Sequence, residues 1–170
     1  MGSFALLFVA RQYILNPSGF PRAYPHPWLV WTPPKKHTAE PIETTDVTGA
    51  DIAFEKGDPL VIEVVKGSVP NAFPFGITIG HSENNDVIVR HEQVSRFHAW
   101  LQDGGGKRSI ADAGSKNGTF LNGRRLVPRK AEPLGPEETL CFGKLEVRFF
   151  EPARFTAWLE ELAAGKGLRG

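Results

Sequence analysis

The chain after residue 59 alternates between short apolar runs and turn-forming residues. Eight apolar runs, rich in Val, Ile and Phe, follow one another at a spacing of roughly ten residues: they are 60–65, 76–79, 86–89, 97–101, 108–111, 119–121, 139–142 and 145–150. Several runs alternate apolar and polar side chains, which buries one face of a strand and leaves the other in water. Glycines mark the turns between the runs. The pattern predicts an all-β sandwich or barrel.

The first 58 residues have a different character. An apolar stretch at 4–15 predicts a short helix or strand docked on the body. Residues 16–58 are rich in proline, which disfavours helices and central strands, yet Trp28–Trp31 is too apolar to leave in water. We therefore expect an extended arm wrapped over the sandwich; the alternative is an aromatic surface for a partner. The polar, threonine-rich segment 35–49 is the best linker candidate.

Residues 151–162 predict a C-terminal helix. Pro152 stands in its first turn and Gly165 just beyond its end. Its apolar face, made of Phe155, Trp158, Leu159 and Leu162, is expected to dock on the sandwich or on the aromatic arm; a dimer contact is the alternative. The sequence thus divides into an N-terminal extension (1–58), a β-rich body (59–150) and a C-terminal helix with its tail (151–170).

Composition narrows the function classes. A chain of 170 residues that is 41% hydrophobic can bury one good core. Its net charge of +1 gives no general attraction to nucleic acid or to a membrane surface. Cys141 is the single cysteine, so no internal disulfide forms, and a reducing, cytoplasmic compartment is expected. The apolar stretch 4–10 is too short to cross a bilayer, so we expect no membrane partner.

Candidate chemistry lies in three polar segments between predicted strands, at 80–86, 94–99 and 112–123. Together they supply serine hydroxyls, an arginine, a lysine, an asparagine amide and glycine-freed backbone N–H groups. A phosphate dianion is recognised by such charge-assisted donors. The set suits binding of a phosphate-bearing ligand better than it suits catalysis.

The three segments, in this order and spacing, resemble the signature of the forkhead-associated (FHA) domain family. That signature is Gly-Arg followed after three residues by Asn-Asp, then Ser-Arg-x-His-Ala, then Ser-x-Asn-Gly-Thr and Asn-Gly. The resemblance covers residues 60–150. It implies an FHA-like β-sandwich of two antiparallel sheets with eleven strands. It further implies a signalling module that binds phosphothreonine peptides through loops at one end, without cofactor, metal or catalysis.

The resemblance also implies roles for individual residues. Ser95 and Arg96 would contact the phosphate, Lys116 would approach it, and Asn117 would hold the peptide backbone. Gln93 is a candidate for reading a side chain three residues after the phosphothreonine. The implied loop-supporting residues are Gly80, Asn85, Asp86, His98, Ser115, Gly118 and Asn122.

His81 departs from the family pattern, which has arginine at this position. Histidine lacks the permanent charge and planar fork of arginine. Losing one charged contact of about 1.5–3 kcal/mol weakens binding roughly tenfold to a hundredfold. The sequence therefore predicts a softened phosphate pocket that binds more tightly at mildly acidic pH. The alternative is a degenerate domain that acts in phosphorylation-independent interactions.

Other function classes fit less well. His81, Ser82, Ser95, His98 and Asp112 could be drawn as a hydrolase triad, but no nucleophile-elbow motif is present. His81, His91 and His98 lack a recognised metal-ligand spacing, even with Glu83 and Glu92 added. The basic residues near the loops form no basic helix, so nucleic-acid binding is not expected; they are Arg90, Arg124, Arg125, Arg129 and Lys130.

A partner within the chain is a further hypothesis. Thr44, Thr45 and Thr48 lie in the linker candidate, and the segment 43–46 is similar to the phosphorylated tail of small FHA regulators. Phosphorylation there would close the linker onto Ser95 and Arg96.

Overall fold

The computed structural model describes residues 3–33, 59–68 and 70–165 of the chain. Each of the eight predicted strands is present, with small differences at the ends. The elements are β1 (Ser3–Ala5), α1 (Leu6–Leu15), α2 (Phe20–Ala23), β2 (Trp28–Trp31), β3 (Leu60–Glu63), β4 (Gly76–Gly80), β5 (Val87–Ile88), β6 (Ala99–Asp103), β7 (Arg108–Asp112), β8 (Thr119–Leu121), β9 (Arg124–Arg125), β10 (Glu132–Pro133), β11 (Glu137–Phe142), β12 (Leu145–Phe150) and α3 (Pro152–Ala163).

The strands form two sheets, which confirms the predicted sandwich. One sheet has seven strands in the order β1-β3-β2-β12-β11-β8-β9, and the other has five in the order β10-β7-β6-β4-β5. Neighbouring strands are antiparallel except β4 and β5, which pair in parallel through Ile79 and Val87. The described ranges hold twelve strands, one more than the resemblance implies.

The main core lies between the two sheets. The seven-stranded sheet contributes side chains such as Leu29, Ile62 and Phe149, and the five-stranded sheet contributes Ile79 and Ile110. All five are at most 1% exposed. Alternate residues of each strand therefore meet across the sandwich, as the period-two pattern of the sequence predicts.

The strand β2 corrects the expected arm over the sandwich. Trp28–Trp31 does not wrap over the body; it lies inside the seven-stranded sheet, between β3 and β12. Its four residues are all buried, because Leu29 and Trp31 face the main core while Trp28 and Val30 face a second core. A strand buried on both faces reads as a continuous apolar run, which explains the concentration of large side chains here.

The three helices cover the outer face of the seven-stranded sheet. Phe155 of α3 stacks on Trp28 with ring centroids 4.7 Å apart, and Trp158 stacks on Phe150 at 4.9 Å. The predicted apolar face of the C-terminal helix therefore docks on both the sandwich and the aromatic segment. Phe20 of α2 and Val9 of α1 complete this second core. The prediction of a helix or strand at 4–15 is met by both, since β1 leads directly into α1.

Some predictions lie beyond what the structure tests. The linker candidate 35–49, with Thr44, Thr45 and Thr48, and the tail from 166 onward lie outside the described residues. The division of the chain at residues 58 and 150 stays a prediction, although β2 shows that the N-terminal segment contributes a strand to the sheet. None of the described helices has the length and apolar character needed to cross a membrane.

Candidate functional site

Three loops meet around an open pocket of about 880 Å³ at one end of the sandwich. We call them the first loop (81–86, between β4 and β5), the second loop (89–98, between β5 and β6) and the third loop (113–118, between β7 and β8). The five residues predicted to bind a phosphopeptide all line this pocket. Its wall consists of His81, Ser82, Asn84, His91, Glu92, Val94, Ser95, Arg96, Phe97, Gly114, Lys116 and Asn117.

Backbone contacts join the first loop to the second. The amide of His81 donates to the carbonyl of Ser95 over 2.9 Å, and the side-chain amide of Asn85 donates to the carbonyl of Arg96 over 2.6 Å. Gly80 packs against the same carbonyl group, and a Cβ atom at Gly80 would be 2.3 Å from the Arg96 carbonyl oxygen. Only glycine allows so close an approach. Gly80 and Asn85 thus fix the backbone that carries Arg96.

Side chains at the pocket wall take part in hydrogen bonds that join the second loop to the third. The backbone amide of Lys116 donates to the Ser95 hydroxyl oxygen over 3.0 Å. The side-chain amide of Asn117 donates to the carbonyl of Gln93, also over 3.0 Å. Since the Ser95 oxygen accepts in this contact, its own hydroxyl hydrogen is left to donate to a ligand.

His98 is fully buried between the second and third loops. Its Nδ1 accepts from the Ser95 amide at 3.0 Å, so Nε2 carries the hydrogen and donates to the Gly118 carbonyl at 3.1 Å. Burial lowers the pKa of His98, and the hydrogen bond to Gly118 and the negative charge of Asp112 offset this only in part. The ring is therefore neutral, and both of its nitrogens are occupied.

Asp112, at the end of β7, organises the third loop. Its Oδ1 accepts from the hydroxyls of Ser115 and Thr119, each at 2.6 Å, and its Oδ2 accepts from the amides of Gly114 (2.8 Å) and Ser115 (3.1 Å). Ser115 Oγ in turn accepts from the Gly118 amide at 3.0 Å. Burial alone would raise the pKa of Asp112, but these hydrogen bonds outweigh it and lower the pKa.

Sequence reasoning left Asp112 out of the set of loop-supporting residues. The available signal was an aspartate at the end of an apolar run with Gly114 and Ser115 just after it, which is the arrangement of a side-chain-capped turn. The resemblance drew attention to the serine of that turn and not to the carboxylate that holds it.

Asp86 anchors the first loop in a similar way. Its side chain is fully buried and accepts from the ammonium of Lys66 at 2.8 Å, the amide of Thr78 at 2.8 Å and the amide of Gly67 at 2.9 Å. Burial would raise the pKa of Asp86, but Lys66 and the amide donors lower it. Lys66 is a second residue that sequence reasoning missed, because it is 20 residues away in the chain.

Asn122 lies apart from the pocket. It forms the two-residue turn between β8 and β9 with Gly123, and both residues have positive φ angles, of 49° and 80°. Asparagine and glycine are the residues that accept this conformation in a hairpin. The Asn122 side chain also accepts from the amide of Thr139 at 3.0 Å, which ties the turn to β11.

The pocket combines cationic side chains with few competing charges. Within the described ranges, Arg96 and Lys116 are exposed and neither forms an ion pair. His81 is exposed on the same wall. Burial lowers the pKa of His91, the charge of Glu92 opposes this, and the nearby His81 lowers it further. The wall therefore offers two permanent positive charges to a ligand.

The geometry does not favour the imagined hydrolase triad. His98 would have to accept a proton from Ser95, but its Nδ1 already accepts from the Ser95 amide and its Nε2 donates to Gly118. Among the described side chains, no group of three or more histidine, cysteine, aspartate or glutamate residues is placed to hold a metal ion. The loops offer hydrogen-bond donors and positive charge, which suits the binding of an anion.

Comparison with curated proteins finds relatives that match part of this chain. The chain is 31% identical over 100 residues to an ABC transporter ATP-binding/permease protein of Mycobacterium tuberculosis, a match that covers 57% of this chain and 11% of the transporter. It is 32% identical over 77 residues to the oxoglutarate dehydrogenase inhibitor of Corynebacterium diphtheriae, covering 45% of this chain and 52% of that protein. The match thus spans about half of one relative and a small part of the other.

Solved structures and a family model complete the comparison. Mycobacterium tuberculosis EmbR, solved in complex with a low-affinity phosphopeptide, is 28% identical with a TM-score of 0.42 and coverage of 45% of this chain and 20% of EmbR. The model of the FHA domain family matches residues 77–143, which span β4 to the end of β11 and include all three pocket loops. Residues 77–143, which carry all three pocket loops, thus match the FHA domain family.

Proposed function

We propose that this chain is a phosphothreonine-dependent interaction module of a signalling protein, and that it binds its partner at the pocket formed by the three loops. The observation that carries the proposal is the grouping of Ser95, Arg96 and Lys116. A hydroxyl and two positive charges without ion pairs among the described residues face one pocket, in a domain of the FHA family. A phosphate dianion is the ligand for which these donors are suited.

Ser95 is the central donor in this proposal. Its oxygen is held by the Lys116 amide and its own amide by His98, so the hydroxyl is oriented before a ligand arrives. A donor fixed in advance loses little conformational entropy on binding. Arg96 and Lys116 then add charge-assisted hydrogen bonds from two different loops, and a phosphate group would bridge them.

Asn117 is proposed to hold the peptide backbone. Its side-chain nitrogen donates to the Gln93 carbonyl, which leaves its side-chain oxygen to accept from a peptide N–H. Gln93 is half-buried, its side chain lies against the β11–β12 turn at Gly143, and it is not part of the pocket wall. We propose Asn117 as the stronger peptide contact of the two.

His81 is proposed to lower the affinity of the pocket for a phosphate group. It stands on the pocket wall where the family pattern has an arginine, and it provides no permanent charge. Replacing His81 with Arg is expected to tighten phosphopeptide binding roughly tenfold to a hundredfold, the effect of regaining one bidentate charged contact. Because a histidine side chain can gain a positive charge in mildly acidic solution, we propose that the wild-type chain binds more tightly there.

The topology supports a partner within the same chain. Strand β12 begins just after the turn at Gly143, which packs against Asn117 of the third loop. Because β2 runs antiparallel to β12, its end at Trp31 points back toward the pocket, and Leu60 pairs with Trp31 there. Thr44, Thr45 and Thr48 lie at least 12 residues from either anchor, a reach of about 40 Å when extended. We propose that one of these residues, once phosphorylated, competes with external partners for the pocket.

Calorimetric titration with a phosphothreonine peptide pool tests the main proposal. The pool and its unphosphorylated counterpart are titrated at pH 6 and pH 8 into wild type, Ser95→Ala and His81→Arg. Phosphate-dependent binding that weakens at least tenfold in Ser95→Ala supports the proposal. The His81→Arg variant also removes the imidazole, so a pH effect that persists in it does not come from His81.

Two outcomes would overturn the proposal or part of it. If wild type binds neither pool but His81→Arg binds the phosphorylated one, the fold serves phosphorylation-independent interactions and the pocket is degenerate. If Thr44→Ala/Thr45→Ala/Thr48→Ala and wild type, both treated with the same threonine kinase, bind external phosphopeptide equally well, the competition within the chain is refuted.

A further inference from the structure

The ring of Phe97 joins the phosphate pocket to an aromatic cluster on the outer face of the five-stranded sheet. Phe97 follows Arg96 directly, lines the pocket and is 38% exposed. Its ring centroid lies 5.4 Å from that of Phe73 and 6.0 Å from that of Trp100, and the rings of Phe73 and Trp100 lie 5.1 Å apart. We call Phe73, Phe97 and Trp100 the aromatic cluster.

The cluster is fixed in place before any ligand binds. Trp100 points away from the core, because its neighbours Ala99 and Leu101 point into it. Phe73 sits in a loop whose carbonyl at that residue accepts from Lys66 Nζ at 2.7 Å and whose amide there donates to the Asn71 side chain at 3.0 Å. Lys66 is itself held by buried Asp86.

The backbone on both sides of Phe97 is held as well. The carbonyl of Arg96 accepts from the amide of Ser82 and the side chain of Asn85, and the amide of His98 donates to the carbonyl of Ile79 at 2.9 Å. The backbone that carries Phe97 is therefore fixed, and its partly exposed ring presents an apolar surface immediately beside a cationic one. A prearranged apolar surface contributes affinity without an ordering cost.

Single exposed apolar residues need no explanation, and Phe75 is one of them. It is 90% exposed and, in the part of the chain that the structure describes, stacks on no other ring. Phe97 differs because it is supported by two aromatic rings and forms part of the pocket wall. A central aromatic residue with packed support is the usual form of an energetically important contact.

We propose that the pocket selects phosphothreonine segments that carry an apolar side chain close to the phosphothreonine, and that this side chain packs on Phe97. The inference rests on the proposed function and adds the class of partner sequence. An extended segment advances about 3.3–3.6 Å per residue. With the phosphate at Ser95 and Arg96, an apolar residue within about three positions of the phosphothreonine reaches the ring of Phe97. The phosphate supplies charge recognition, and Phe97 supplies the side-chain preference.

A bead-bound phosphothreonine peptide library, degenerate at three positions on each side, tests this inference with the full chain. The proteins are wild type, Phe97→Ser, Phe97→Leu and, as a matched control, Phe75→Ser. Wild type, Phe97→Leu and Phe75→Ser are expected to enrich apolar residues at one flanking position, and Phe97→Ser is expected to lose that enrichment. For a single enriched peptide, the Kd should rise about fivefold to tenfold in Phe97→Ser, and a peptide with serine at that position should bind both proteins equally.

The outcomes separate this inference from the proposed function. Phosphate-dependent binding without apolar enrichment, or enrichment that survives in Phe97→Ser, overturns the role of Phe97 while the phosphothreonine pocket stands. Absence of any phosphate-dependent binding by the wild-type chain removes the proposed function, and this inference with it. Melting temperatures of the four proteins show whether Phe97→Ser is folded when it loses the apolar enrichment. If Phe97→Ser is destabilised, Phe97→Leu, which keeps an apolar side chain, decides whether the contact or the fold accounts for the loss.

Discussion

The backbone amide of Lys116 donates a hydrogen bond to the hydroxyl oxygen of Ser95 over 3.0 Å, although 21 residues separate the two in sequence. The contact joins the second and third loops, and it uses only the main chain of Lys116. The ammonium group of the same residue is exposed. Lys116 therefore has two separable functions, one in loop structure and one in the charge of the pocket.

The separation leads to a prediction for Lys116→Met. The loop contact is retained, so the melting temperature should stay within about 1–2 °C of wild type, as expected for a surface change below 0.5 kcal/mol. Phosphopeptide affinity should fall about threefold to tenfold, and its salt dependence should become shallower because one charge is lost. Calorimetry at two ionic strengths measures both effects.

The exposed Lys144, on the turn between β11 and β12, gives the matched control. It lies outside the pocket wall. Lys144→Met should leave affinity unchanged. Equal losses in the two variants would mean that the effect comes from net charge and not from a contact with the phosphate.

Asp112→Asn is expected to destabilise the chain by about 2–4 kcal/mol at pH 7, because it replaces a buried, fully hydrogen-bonded carboxylate. One oxygen becomes an NH2 group, which cannot accept from the amides of Gly114 and Ser115. Urea denaturation measures the loss. Asp103→Asn, at a carboxylate whose side chain is 56% exposed, is the control and should cost far less.

The pH dependence of Asp112 has a definite sign. Since folding lowers the pKa of Asp112, the unfolded chain binds the proton more readily, and the carboxylate stabilises the fold above about pH 4, the usual pKa of aspartate. That stability is lost as the pH falls through the lower, folded pKa. The difference between wild type and Asp112→Asn should therefore shrink in acid. A difference that stays constant from pH 7 to pH 3 would contradict the assignment.

Strand β2 shows which features of the fold could be predicted from the sequence and which could not. The sequence located the large apolar side chains of Trp28–Trp31 and the prolines around them, and the density of prolines argued against a central strand. The structure places those prolines outside the strand, at Pro25, Pro27 and Pro33, so its own ladder is intact. Strand order within a sheet depends on partners that are distant in sequence, here β3 and β12, and local pattern carries no information about them.

In the candidate site, too, local sequence predicts which residues lie in the loops but not which distant groups they contact. The positions of the five pocket residues follow from their place in loops between strands, which the motif spacing reveals. The partners of Ser95 do not follow, because one of them, the Lys116 amide, is a main-chain group on another loop. Lys66 could not be predicted for a related reason, because its role depends on Asp86, 20 residues away in the chain. The partners of Asp112 lie within seven residues of it, so its role in the turn was open to local prediction.

His98 gives a prediction for neutral to mildly acidic pH. Folding lowers the pKa of His98 through burial, so the unfolded chain binds a proton more readily below about pH 6.5, the usual pKa of histidine. Stability should therefore fall as the pH drops below that value and level off below the folded pKa. His98→Gln should be less stable at pH 7.5 and show a shallower decline toward pH 5.

The pKa of His91 is also lowered by burial and contributes a decline of the same sign. The test is therefore the difference in slope between wild type and His98→Gln, measured by thermal melting at half-unit pH steps. Parallel curves for wild type and His98→Gln would show that His98 is not the residue responsible.

Gly80 and Gly104 offer a matched pair of glycines for testing how the pocket backbone is held. Neither glycine has a positive φ angle, so backbone strain does not complicate the effect of an alanine at either position. At Gly80 a new Cβ would lie 2.3 Å from the Arg96 carbonyl oxygen, whereas at Gly104 the nearest atom outside the adjoining residues is 3.8 Å away. Gly80→Ala should cost about 1–3 kcal/mol through overpacking, and Gly104→Ala should be close to neutral.

Gly80→Ala should also weaken phosphopeptide binding, because the new Cβ displaces the backbone between Arg96 and Phe97. Denaturation and calorimetry on the two variants separate these effects, with binding measured well below the melting temperature so that every molecule is folded. If Gly80→Ala loses stability but keeps wild-type affinity, the backbone shift does not reach the Arg96 side chain. If it loses neither, the second loop yields to the new methyl group, and the close approach at Gly80 is not what holds Arg96 in place.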